Sequence, residues 1–65
     1  MTKGEAETEC IRRWRALPRP ERATLDQATV FADSLLAEMV FPTSRDRALF
    51  IRGWLQRDLQ LRGGL

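Results

Sequence analysis

The chain has no histidine and no tyrosine, a single cysteine, and one lysine among its eleven basic residues. Each scarcity closes a class of function. Without imidazole, the commonest general base is missing, and so is the usual partner of an activated thiol. With Cys10 as the only thiol, neither an intrachain disulfide nor a zinc site of the ordinary cysteine and histidine type can be assembled. No apolar run approaches the roughly 20 residues a membrane-spanning helix needs. Glu5, Glu7 and Glu9 stand where a secretory leader would carry its apolar core. Strand-like alternation, internal repeats and low-complexity tracts are also lacking. One unpaired cysteine suits a reducing compartment, so a cytoplasmic protein is expected, with no membrane contact, no cofactor and no small-molecule substrate.

What is present is arginine, at ten of 65 positions. Its rigid five-donor fork suits carboxylates, phosphates and aromatic faces, and makes a poor nucleophile, base or metal ligand. The charges alternate by zone. Residues 1–11 are net acidic, 12–22 strongly basic, 23–42 acidic and 43–65 basic, and the whole carries a formal charge of +2. Alternation of this kind supports ion pairing within the chain, or between copies, at least as well as it supports binding to a polyanion.

A chain of 65 residues makes one domain, residues 1–65, with 1–3 and 63–65 as frayed ends. At 43% hydrophobic and 31% charged it has a folded composition. Domains this small bury only about 60% of their unfolded surface. They commonly draw on disulfides, metals or self-association; with the first two excluded, self-association is the aid expected.

Prolines divide the chain into three helical segments, an all-α three-helix bundle with helices at about 4–16, 21–40 and 44–61. In the first, Thr2 and Glu5 have capping-box spacing, and Ala6, Cys10, Trp14 and Leu17 recur on one face. Pro18 stops it at Leu17. In the second, Pro20 suits the first turn, while Thr24 and Gln27 offer a later start at Leu25. Leu25, Ala28, Ala32, Leu35 and Met39 follow strict 3-4-3-4 spacing. The third is capped by Thr43 or Ser44, has Asp46 in its first turn, and stops at Gly63 and Gly64. Its apolar residues spread over half the circumference, wide enough to touch both other helices or a second chain. Gly53 in its middle costs roughly 1 kcal/mol relative to alanine, which close approach of another helix or a ring would explain. The expected core is Cys10, Trp14, Leu25, Ala28, Phe31, Leu35, Met39, Ile51, Trp54 and Leu55, with Leu17 and Phe41 covering its ends.

Two surfaces are candidates for function. Arg45, Leu49, Arg52 and Gln56 share one stripe of the third helix, and with the Val40–Phe41 corner they form an Arg/apolar contact surface. Arg12, Arg13, Arg15, Arg19 and Arg22, interleaved with Trp14, form a cluster that suits a phosphate backbone; Glu9 also stands four residues before Arg13, in the favourable ion-pair orientation. Cys10 reads as a small hydrophobe, since no base stands by to activate it. The favoured expectation is a non-enzymatic helical interaction protein, acting by self-association or by binding a partner protein. The alternative is a small Arg-rich nucleic-acid-binding regulator.

Overall fold

The structure, a computed structural model, describes residues 1–43 and 46–61. Among these residues it is all-helical and without strands: α1 is Lys3–Arg15, α2 is Leu25–Leu35, α3 is Arg47–Leu61, and a short 3-10 turn spans Arg19–Arg22. The capping box at the start of α1 forms as its spacing predicts. The Glu5 amide donates to Thr2 Oγ1 at 3.1 Å, and the Thr2 amide donates to Glu5 Oε1 at 2.8 Å. Two of the four amides that a helix start leaves unpaired are thereby satisfied. Ala6, Cys10 and Trp14 then bury one face of α1.

The helix expected over 21–40 is broken at both ends. At its start, Thr24 caps Leu25: the Gln27 amide donates to Thr24 Oγ1 at 3.1 Å, and Gln27 Oε1 accepts from the amides of Ala23 and Thr24. A capping residue takes extended backbone angles, here φ −128° and ψ 160°, so the helix cannot run through Thr24. Residues 19–22 form the separate 3-10 turn instead. At its end, α2 stops at Leu35 and the chain tightens. The amide of Leu36 donates to Asp33 O, and those of Glu38 and Met39 donate to Leu35 O. Arg47 Nη1 closes this turn from outside by donating to the carbonyls of Met39 at 3.0 Å and Leu36 at 3.3 Å.

The cap of α3 is Asp46, whose Oδ1 accepts from the Ala48 amide at 2.9 Å, so the helix begins at Arg47 and not at 44. Ser44, and the expected stops Gly63 and Gly64, lie outside the described residues.

Helix α3 is the hub. Ile51, Trp54, Leu55 and Leu59 are buried in a core shared with Ala6, Cys10 and Trp14 of α1, Ala28, Ala32 and Leu35 of α2, and Met39 and Phe41 after it. The wide apolar sector of α3 is therefore used inside the chain, against both other helices. Burial of each large side chain among these contributes about 1.5–3 kcal/mol. Phe41 packs on Trp54 at 5.4 Å between ring centroids and on Phe50 at 6.4 Å, while Lys3 Nζ lies 3.8 Å from the centre of the Phe50 ring.

Two expectations about the core need correction. Leu25 is 47% exposed: it is the first residue of α2, at the end of the core-facing stripe, and is only half covered. Phe31 is half-buried, its ring tilted against Trp14 at 5.7 Å. The explanation offered for Gly53 also fails. It is exposed, and a Cβ built there meets nothing within 4 Å.

Candidate functional site

Four of the five arginines of the first basic cluster are occupied by partners within the chain. Arg12 Nε donates to Glu9 Oε1 at 2.9 Å, and Arg13 Nε donates to Glu9 Oε2 at 2.8 Å, so one carboxylate holds two guanidinium groups. Arg13 also pairs with Glu38 at 3.1 Å, tying α1 to the turn after α2. Arg15 donates to Asp58 Oδ1 at 2.6 and 3.1 Å, which joins α1 to α3. Arg22 Nε donates to the Leu17 carbonyl at 2.7 Å. Arg19 is exposed and has no ion pair among the described residues. Trp14 is fully buried, out of reach of any base that would stack on it.

These pairs explain the local electrostatics. Hydrogen bonds from Arg12 and Arg13 stabilise the charged form of Glu9 and hold its carboxyl at about 2. The same bonds raise the pKa values of both guanidinium groups, and Asp58 does so for Arg15. Burial pushes the Cys10 thiol up to about 11, against a smaller opposing pull from Arg13. At neutral pH it is a thiol with very little thiolate, a packing residue rather than a nucleophile. Among the described residues, no three of His, Cys, Asp and Glu come together where a metal ion could be held.

The second candidate surface is partly assembled. Leu49 is 59% exposed and Val40 63%. Arg52 reaches across to Asp33 of α2 at 2.9 Å, while its Nε is buried without an acceptor. Gln56 is half-exposed. Phe41, expected at the contact corner, is 4% exposed and belongs to the core, where its rings-in-contact role with Phe50 and Trp54 holds it. Arg45 lies outside the described residues. The outward stripe of α3 is Leu49, Gly53, Gln56 and Gln60, spaced 4, 3 and 4 along the helix and carrying no charge.

Asp58 escaped the sequence reading altogether. It is 5% exposed and anchors Arg15. Its signal was available: position 58 stands seven residues after Ile51, four after Trp54 and three after Leu55, in the middle of the apolar arc. A carboxylate there needs a cationic partner from elsewhere in the fold.

Comparison with protein-family models, with curated proteins and with solved structures finds no match to this chain.

Proposed function

We propose that this is a non-enzymatic helical interaction protein that works through the exposed outer face of α3 and the adjoining Val40 corner, binding a second copy of itself or a partner protein. The observation that carries this reading is the division of labour between charge and apolar surface. Seven arginines of the described chain already satisfy a carboxylate or a carbonyl, while Leu49 and Val40 stand in solvent with nothing over them. Arg52 flanks the stripe, held in place by Asp33, and a pre-positioned guanidinium beside an apolar anchor is a common composition for a protein contact.

Sedimentation velocity on the wild type and on Leu49→Arg tests the self-association arm. The reading expects mass to rise with concentration in the wild type and to stay monomeric in the variant, with unchanged helical circular dichroism. A wild type that remains monomeric at every concentration removes self-association and leaves a heterologous protein partner. The nucleic-acid alternative draws on Arg19 and on the outward position of Arg12. It is weakened because a phosphate would have to displace carboxylates already in place.

A further inference from the structure

The side of α2 turned toward the 3-10 turn carries an open groove of about 380 Å³. Its floor is apolar: Leu17, Val30 and Phe31. Val30 is 69% exposed, a large exposure for a β-branched residue in the middle of a helix. Glu21 and Asp26 also line the groove. Of the nine acidic side chains, these two alone make no hydrogen bond or ion pair among the described residues. The other seven hold an arginine or cap a helix.

The remaining polar groups around the groove are already satisfied. Gln27 accepts from the amides of Ala23 and Thr24, and its Nε2 donates to the Pro20 carbonyl at 2.7 Å. Ser34 Oγ donates to the Phe31 carbonyl at 2.7 Å. Of the two cations on the turn, Arg22 is tied to the Leu17 carbonyl, and neither it nor Arg19 lines the groove. These bonds fix the 3-10 turn against α2, so the wall of the groove is formed before anything binds. An apolar lining beside two free carboxylates complements an apolar side chain with positive charge next to it.

We infer that the groove between the 3-10 turn and α2 binds a short cationic, apolar peptide segment of a partner protein. A leucine-sized side chain rests on Leu17, Val30 and Phe31, and neighbouring Arg or Lys side chains pair with Glu21 and Asp26. The groove is open to solvent and does not enclose a small molecule, which suits a segment lying on it. This site is separate from the outer face of α3 and goes beyond the function proposed for that face.

The test is a fluorescence-anisotropy titration of the full chain against a labelled twelve-residue peptide of Arg, Leu and Ala, with two control peptides, one with Glu for Arg and one with Ser for Leu. The Arg/Leu peptide should bind, and both controls should bind at least about tenfold more weakly. Glu21→Gln combined with Asp26→Asn should weaken the Arg/Leu peptide by about three- to tenfold, the range expected from losing two exposed ion pairs. Val30→Ser should weaken it through the floor. Asp26 also complements the start of α2, so Glu21→Gln alone, which leaves that helix untouched, provides the second variant. Equal binding of the Glu-containing peptide, indifference to Glu21→Gln and Val30→Ser together, or no binding of the Arg/Leu peptide overturns the proposal. So does self-association of the peptide-free protein that Glu21→Gln abolishes, which would assign the groove to a second copy.

Discussion

At the scale of single residues, Glu9 concentrates more of the electrostatics than any other side chain. It holds Arg12 and Arg13 at once, and its carboxyl is lowered from 4.5 to about 2. A carboxyl depressed in the folded state stabilises the fold above its unfolded pKa and loses that contribution as pH falls through the folded value. Stability should therefore decline between pH 4.5 and about 2, and Glu9→Gln should flatten that part of the profile in urea melts taken at several pH values. Cys10 gives a second prediction. With its thiol buried and raised to about 11, it should react with a thiol reagent at pH 8 far more slowly than free cysteine, and urea should restore the ordinary rate. Fast labelling of the folded protein would mean that α1 is not packed as described.

At the scale of elements, α3 shows where sequence and structure part. Its apolar sector was legible from periodicity, and so were the caps of α1 and α2, because capping spacing and i, i+4 recurrence are local properties. The length of α2 was not. Its first break depends on the choice between Pro20 and Thr24 as a starting point, decided by the hydrogen bonds of Gln27 with Ala23 and Thr24. Its last turn depends on Arg47, which closes the carbonyls of Leu36 and Met39 from another element. Gly53 illustrates the same limit, since nothing in the sequence says whether a neighbour approaches it. Open space at that position predicts that Gly53→Ala raises stability by about 1 kcal/mol, seen as a rise in Tm of about 4–8 °C. Asp58 carries a paired prediction. Asp58→Ala should cost about 1–3 kcal/mol through the lost charge-assisted hydrogen bonds to Arg15. Asp58→Leu should cost less, because the site lies in the apolar arc and Arg15 is half-exposed and can turn to water.

At the scale of the whole molecule, a surplus of arginine turns out to be mostly internal wiring. Ion pairs link α1 to α3 through Arg15–Asp58 and Arg57–Glu7, α2 to α3 through Arg52–Asp33, and α1 to the turn after α2 through Arg13–Glu38. The alternating charge zones of the sequence are the linear trace of this network. Most of these pairs are solvent-exposed and individually worth little; their consequence is that, among the described residues, few guanidinium groups remain for an outside ligand. The candidate contact surface was only partly legible for the same reason. Leu49 and Gln56 could be placed on an outward stripe of the third helix and Val40 at the corner beside it, but Phe41 turned inward to the aromatic cluster, and the free carboxylates of the α2 groove emerge only once every other acid has found its partner.

The measurement that bears most directly on this account is fluorescence anisotropy of labelled random-sequence DNA and RNA titrated with the protein at about 50 and about 200 mM salt, the range over which phosphate contacts lose orders of magnitude in affinity. With five of its described arginines committed to internal carboxylates and two more to backbone carbonyls, the protein should bind neither nucleic acid tightly at the lower salt. Tight binding that collapses at the higher salt, and that is lost when Arg12 and Arg15 are changed to Glu with the helical signal intact, would contradict the account and make the first basic cluster a phosphate-binding site.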